Sequence, residues 1–418
     1  MDQNSKNTIE RVLLVGCRLT SIDEERFIYS MEELAALTKT AGGKVYSTIF
    51  QNRHSFDRST YIGKGKIAEL IPLVEELEID VVIFNDELTS SQVKALTANI
   101  PTRVIDRTQL ILDIFSKRAK SKEGKLQVEL AQLNYLLPRL AGQGHGLSRL
   151  GGGIGTRGPG ETQLETDRRH IRRRMDEIKE QLKAIVKHRA LYRDRRKENR
   201  TMQIALVGYT NAGKSTLHNR LTLADSLAED QLFATLDPLT RRLKLPSGFQ
   251  VLITDTVGFI QDLPTTLVAA FRSTLEEVCE ADFLLNIVDA SNEDYFNHEE
   301  TVTSLLEQLN VKDVPIFTVY NKIDQISSQF VPSEGKKSIL ISALQENDLK
   351  KLLLKLEEEI KGLLQYFEAK IHASDGKLLA KCQSNAIIEE QIWLEEEESY
   401  FLKGYIPADS NLFKQLKA

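Results

Sequence analysis

The chain has 418 residues, 41% hydrophobic and 28% charged, with a net charge of −5. That length exceeds what one hydrophobic core usually organises, and the composition is globular rather than disordered, fibrous or membrane-embedded. Cys17, Cys279 and Cys382 lie far apart with no CxxC or Cys/His spacing, which argues against structural zinc and for a reducing compartment. The polar start Met1-Asp2-Gln3-Asn4-Ser5-Lys6 has no apolar signal-peptide core, and no run reaches the ~18 apolar residues of a membrane span. A soluble, cytoplasmic protein, monomeric and without a membrane span, is therefore expected.

Residues 1–115 read as an N-terminal α/β domain. Arg11-Val12-Leu13-Leu14-Val15-Gly16, Lys44-Val45-Tyr46-Ser47-Thr48-Ile49, Asp80-Val81-Val82-Ile83-Phe84 and Thr102-Arg103-Val104-Ile105 have the pattern of buried strands. Helical stretches lie between them at 30–40, 66–77 and 90–98, and this alternation predicts βαβ units and a mostly parallel sheet.

Residues 116–200 change character. Between Lys117 and Arg200 there are 22 lysines and arginines against 10 acidic residues, within an acidic chain. Such a basic insert points to a polyanionic partner, or else to a solvated helical face. Leu126, Leu130, Leu133 and Leu137 mark one helix. Ile171, Met175, Ile178, Leu182 and Ile185 form a heptad seam on a second, so an antiparallel hairpin is predicted. Its connection, 141–160, contains nine glycines; Pro159 and then Thr162-Gln163-Leu164-Glu165 supply a capping-box start for the second helix.

From 201 to 362 the strand–helix alternation returns, and 363–418 read as a small α+β domain. After the strand Gln203–Val207 comes Gly208-Tyr209-Thr210-Asn211-Ala212-Gly213-Lys214-Ser215-Thr216, a phosphate-binding loop in its strand–loop–helix context. Its glycines let backbone N–H groups close around phosphates. Lys214 neutralises the β- and γ-phosphates, and Ser215 ligates Mg²⁺. Asp255-Thr256-Val257-Gly258 follows a second strand, with Asp255 placed to hold Mg²⁺ and the Gly258 N–H to meet the γ-phosphate.

Asn321-Lys322-Ile323-Asp324 follows a third strand. The Asp324 carboxylate matches the two donors of guanine, whereas adenine would leave it unpaired. Ser342-Ala343-Leu344 follows a fourth and supplies backbone donors for guanine O6. GTP and GDP are therefore the expected ligands, and GTP hydrolysis the expected activity.

Between the first two motifs, Phe233-Ala234-Thr235-Leu236-Asp237-Pro238 reads as a switch loop. Thr235, with Thr240 as the competing choice, would complete the Mg²⁺ and γ-phosphate contacts. Lys214, Thr235 and Gly258 are the expected catalytic residues. The position after Gly258, where many GTPases place a water-orienting glutamine, is Phe259, so hydrolysis by the chain alone should be slow. Asn211 is either a ligand for K⁺ beside the phosphates or a brace for the loop.

The chain resembles the HflX family of ribosome-associated GTPases along almost its whole length. The resemblance rests on Tyr61-Ile62-Gly63-Lys64-Gly65-Lys66, on Gln127-Val128-Glu129-Leu130-Ala131-Gln132-Leu133, and above all on the run from Gly152-Gly153-Ile154-Gly155-Thr156-Arg157-Gly158-Pro159-Gly160 to Asp167-Arg168-Arg169. Phe233–Pro238 and Asp255–Phe259 also fit; Leu239 stands where a threonine would be expected. The resemblance implies binding to the large ribosomal subunit and its RNA, splitting of stalled or idle ribosomes under stress, and ATP binding by the N-terminal domain, with Gly63–Lys66 as the phosphate-contact candidate. Arg157, Arg168, Arg169, Arg172, Arg173 and Arg174 are the expected RNA contacts, since arginines beside closely approachable backbone suit folded RNA. A second reading keeps the GTP-dependent switch but gives the hairpin a protein partner outside translation.

Overall fold

A computed structural model describes residues 9–140, 159–199, 201–223, 232–261, 275, 277–311, 313–326, 330–408 and 410–417. Two compact units are present. One holds Met1–Ala184, Gln231–Phe233 and Gln261–Phe271; the other holds Ile185–Asp230, Ala234–Ile260 and Arg272–Ala418.

Unit 1 is built on four strands, β1 (Arg11–Leu19), β2 (Lys44–Arg53), β3 (Val81–Phe84) and β4 (Arg103–Asp106), in the order β2-β1-β3-β4. Every pairing is parallel, as the alternation predicts. Val12, Leu13, Leu14 and Val15 are all buried, the continuous apolar run of a strand covered on both faces.

The crossover helices are α1 (Glu24–Ala41), α2 (Lys64–Glu76) and α3 (Ser90–Asn99). Asp23 caps α1 through the Glu25 N–H, and Thr89 with Gln92 forms a capping box on α3. Helix α4 (Arg107–Arg118) was not evident from periodicity. Leu110, Ile111, Leu112, Ile114 and Phe115 are all buried, as are Arg107 and Thr108, while Gln109, Asp113, Ser116 and Lys117 mark the more open side.

Helix α5 (Lys122–Arg139) packs on α4, and α6 runs from Pro159 to Asn199. The buried row of α5 is Leu126, Gln127, Val128, Ala131 and Tyr135, whereas Leu130, Leu133 and Leu137 are half-buried. The leucine stripe therefore marks the helix but not its inner face. On α6, Met175 and Ile178 of the expected seam are buried. The helix opens at Pro159, three residues before Thr162, so the expected capping box falls inside it; proline at a first helical position needs no N–H. The glycine-rich connection and Arg157 lie outside the described residues.

Unit 2 contains a six-stranded sheet in the order β10-β9-β8-β5-β7-β6. Its strands are β5 (Gln203–Gly208), β6 (Leu239–Lys244), β7 (Gln250–Asp255), β8 (Phe283–Asp289), β9 (Ile316–Asn321) and β10 (Ser338–Leu340). Only β6 runs antiparallel. Helices α7 (Lys214–Leu221), α8 (Tyr295–Gln308) and α9 (Glu346–Lys361) follow β5, β8 and β10. Beyond them, β11 (Gln365–His372), β12 (Ile387–Leu394) and β13 (Ser399–Ile406) form an antiparallel sheet with α10 (Gly376–Asn385) and α11 (Asn411–Lys417). Among the described residues, no helix is long and apolar enough to cross a membrane.

Candidate nucleotide site

The six-stranded sheet brings its loops together at the carboxyl ends of β5, β7, β8 and β9, where an open parallel sheet binds ligands. Residues 208–213 join β5 to α7. Backbone bonds tie this loop to the one after β7: Thr210 N–H donates to Phe259 O at 2.7 Å, and Phe259 N–H donates to Gly208 O at 3.1 Å. Two glycines are required here. Gly213 has φ of +94°, and a Cβ on it would lie 2.2 Å from Asn321 Nδ2; a Cβ on Gly258 would lie 2.9 Å from Lys214 Nζ.

Lys214 begins α7 and is buried, its Nζ donating to the carbonyls of Tyr209 at 2.7 Å and Gly208 at 3.1 Å. Burial pushes its ammonium down to about 8, with the Asp255 carboxylate acting in the opposite direction. A polyphosphate laid along the loop would supply the counter-charge that this buried cation needs.

The three expected Mg²⁺ residues converge. Ser215 Oγ lies 2.8 Å from Thr235 Oγ1, which donates to Asp255 Oδ2 at 2.7 Å. The other oxygen, Asp255 Oδ1, is buried and has no hydrogen-bond partner among the described residues. A buried, unpaired carboxylate oxygen beside two hydroxyls is a donor set that suits a hard cation with water in its shell. Thr240 is elsewhere, 2.9 Å from Thr254 Oγ1 on the edge strand, so Thr235 alone joins this cluster.

Several expected nucleotide residues turn out to brace the site. Asn321 is buried; its Nδ2 donates to Ala212 O and its Oδ1 accepts from Ala343 N–H, both at 2.9 Å. It therefore stitches the phosphate loop to the loop after β10. Ser342 N–H donates to Asp348 Oδ2 at 3.0 Å. Of the backbone donors expected at 342–344, the Ser342 and Ala343 amides are bonded here to Asp348 and Asn321. Leu344 N–H makes only a 3.4 Å bond to Ser342 Oγ.

Lys322, at φ +64°, pairs with Asp289 at 2.7 Å, while Asp324 is exposed on the turn that follows. Thr256 Oγ1 donates to Leu206 O at 2.5 Å, Val257 is buried, and Ala234 and Thr216 are half-buried. Phe233 belongs to unit 1, where its ring packs edge-on against Phe115 at 4.6 Å. Phe259 is buried in a cluster with Val207, Leu275 and Leu284.

Sequence reasoning missed two histidines. His298 on α8 stacks on the Tyr209 ring at 3.7 Å and 8°, and burial lowers it to about 4. His218 on α7 is buried with Nε2 3.3 Å from Ile253 O. A single histidine in an ordinary helix carries no signal by which either could have been found.

In unit 1, Arg169, Arg172 and Arg173 are exposed and Arg168 is half-buried. Arg174 instead makes a bidentate pair across the hairpin to Glu129, at 2.6 and 2.9 Å. Gly63 caps α2, its N–H held by Gln51 Oε1 at 2.8 Å. At the ends of β1 and β3, the buried Tyr61 hydroxyl donates to Asp86 and accepts from Cys17 N–H.

Family models match three stretches: "GTP-binding GTPase N-terminal" at residues 28–116, "GTP-binding GTPase Middle Region" at 118–196 and "50S ribosome-binding GTPase" at 203–322. The chain is 58% identical to the GTPase HflX of Alkalihalophilus pseudofirmus, over 100% of this chain and 98% of the relative. It is 38% identical to the GTPase HflX of Escherichia coli, over 95% and 94%. With the phosphate loop, the Ser215–Thr235–Asp255 cluster and this full-length identity in place, the chain belongs to the HflX family of GTPases, and it binds and hydrolyses GTP.

Proposed function

We propose that the protein is a GTP-driven factor of the large ribosomal subunit that separates stalled or idle ribosomes. The observation that carries this reading is the basic start of α6, where Arg169, Arg172 and Arg173 stand exposed on a hairpin fixed by the Arg174–Glu129 pair. Exposed arginines on a braced scaffold suit the phosphates of folded RNA. The match to a family described as a "50S ribosome-binding GTPase" supports the same partner. A cytoplasmic, ribosome-associated location goes with this reading.

At the nucleotide, Ser215, Thr235 and Asp255 would hold Mg²⁺, whose charge offsets that developing on the β- and γ-oxygens. Lys214 would release the two loop carbonyls to meet those oxygens, and the Gly258 N–H would meet the γ-phosphate. Asp324 would select guanine, with Asn321 holding the two loops in place. Phe259 faces the core and orients no water, so the ribosome would complete the site. Asn211, exposed at φ +62° and making no hydrogen bond among the described residues, would take K⁺ beside the phosphates. Equal turnover in K⁺ and Na⁺ at matched ionic strength would remove that role. ATP at the N-terminal domain would meet the start of α2 at Gly63–Lys66, where the Gly63 N–H is held by Gln51.

The test is co-sedimentation with purified large subunits in a non-hydrolysable GTP analogue and in GDP. The analogue should give tighter binding, which weakens as salt rises. Arg169→Gln with Arg173→Gln should lower affinity and flatten the salt dependence. Parent-like binding by that variant at every salt concentration would remove RNA contact from the hairpin and leave it to a protein partner.

A further inference from the structure

Tyr209, the second residue of the phosphate loop, is where several ties of the site meet. Its carbonyl accepts from Lys214 Nζ at 2.7 Å and from the Ala212 N–H at 3.3 Å. Its neighbours Gly208 and Thr210 bond to Phe259 at 3.1 and 2.7 Å, next to Gly258. Its ring, 4% exposed, lies flat on the equally buried His298 ring, with centroids 3.7 Å apart and planes 8° from parallel. All of these residues belong to unit 2.

His298 stands in the first turn of α8, where its N–H donates to Asp294 O at 3.1 Å. The next residue, Glu299, is buried and accepts from Tyr320 Oη of β9 at 3.0 Å, so this turn is pinned to the sheet. Burial lowers His298 to about 4, against the pull of the Asp289 carboxylate, so its ring is neutral near pH 7 and the stack adds no charge to the loop. The stacked Tyr209 ring and the carbonyl that holds Lys214 leave the same Cα. When a nucleotide draws the ammonium to its phosphates, that carbonyl loses a partner while the stack stays. Two stacked rings also fix orientation, which an aliphatic contact of similar area does not.

We propose that His298 is a positioning residue for guanine-nucleotide binding, its ring face holding Tyr209 so that the phosphate loop keeps its shape when Lys214 turns to the phosphates. The proposal rests on the reading of Lys214 as a phosphate ligand given above. The loop meets phosphates that GDP and GTP share, so loosening it weakens both nucleotides alike and leaves the base preference as it was. A general packing role for His298 would be filled equally well by an aliphatic side chain of similar size.

The experiment titrates GDP, XDP and a non-hydrolysable GTP analogue against the full chain, with urea unfolding as a check on the fold. His298→Leu should weaken GDP and analogue binding roughly two- to tenfold, the range set by the worth of one aromatic pair. His298→Phe, which restores a flat ring, should recover most of that loss. Tyr209→Leu should match His298→Leu, and the double variant should add nothing further, because either change alone breaks the one stack. Equal losses in the Leu and Phe variants of His298, no loss in His298→Leu, a changed GDP-over-XDP ratio, or additive losses in the double variant would each overturn the proposal. Lys214→Ala separates it from the underlying reading. If Lys214→Ala keeps the parent's nucleotide affinity, the role of Lys214 is wrong. If it loses that affinity while His298→Leu does not, the role of Lys214 stands and the positioning by His298 falls. Should either His298 variant not fold, Tyr209→Phe against Tyr209→Leu decides by the same criteria.

Discussion

Asn321 offers the sharpest energetic test of the site, because both ends of its amide are committed. Its Nδ2 donates to Ala212 O and its Oδ1 accepts from Ala343 N–H, each at 2.9 Å, and all three residues are buried. Truncation in Asn321→Ala leaves one carbonyl and one N–H buried without partners. Each such orphan costs ~1–3 kcal/mol, so the loss is roughly 2–4 kcal/mol after partial relaxation. The two orphaned groups belong to the loops that must close on nucleotide. The cost therefore falls on binding, weakening GDP and GTP affinity by roughly 30- to 1000-fold at 1.4 kcal/mol per decade. Asn321→Asp should be at least as severe, since it keeps the acceptor for Ala343 but sets a carboxylate oxygen against Ala212 O. The assay is titration of GDP and a GTP analogue, with urea unfolding as a check on the fold. Affinity within twofold of the parent in Asn321→Ala would refute the bracing role.

On the proposed selection of guanine by Asp324, Asp324→Asn removes the acceptor for the two guanine donors. GTP affinity should fall roughly 10- to 100-fold and preference should shift towards xanthine nucleotides, so unchanged GTP binding in a titration counts against the assignment. In Gly258→Ala the new Cβ would lie 2.9 Å from both Lys214 Nζ and Thr210 Cα. Turnover and GTP-analogue binding should drop by more than GDP binding, and equal losses for both nucleotides would place Gly258 away from the γ-phosphate. Burial lowers His298 to about 4, so the fold favours its neutral form. The unfolded chain takes up this proton near pH ~6.5. Stability is therefore full above that pH and is lost as pH falls towards 4, by about 2 kcal/mol between pH 7 and 5. Urea midpoints should show this acid loss in the parent and not in His298→Phe, which keeps a flat ring on Tyr209; equal acid sensitivity would contradict it.

The sequence was most informative where chemistry imposes a fixed spacing. Gly208 to Thr216, Asp255 to Gly258 and Asn321 to Asp324 each stand at the carboxyl end of a strand, and Ser215, Thr235 and Asp255 converge as expected. It was silent where a side chain's partner is distant in the chain. Asn321 carries the signature of a base-binding motif, yet its amide faces Ala212 and Ala343. Phe233 sits within the switch motif, yet its ring leaves for Phe115. Arg174 belongs to a basic run, yet Glu129 on the preceding helix claims it. In the fold, α4 escaped because it follows β4 directly, with Asp106 both ending the strand and capping the helix, so no loop separates the two patterns. The leucine repeat of α5 located the helix without identifying its buried row, because α5 packs against α4 while Glu129 reaches across to Arg174 on α6.

Steady-state GTP turnover with and without purified large ribosomal subunits tests the central claim most directly. Phe259 is buried among apolar side chains and cannot orient water, so the chain alone should turn over slowly. Adding subunits should raise the rate at least tenfold, and Arg169→Gln with Arg173→Gln should reduce that stimulation while leaving the unstimulated rate alone. A rate that is already fast without subunits, or one that subunits do not change, would contradict the account.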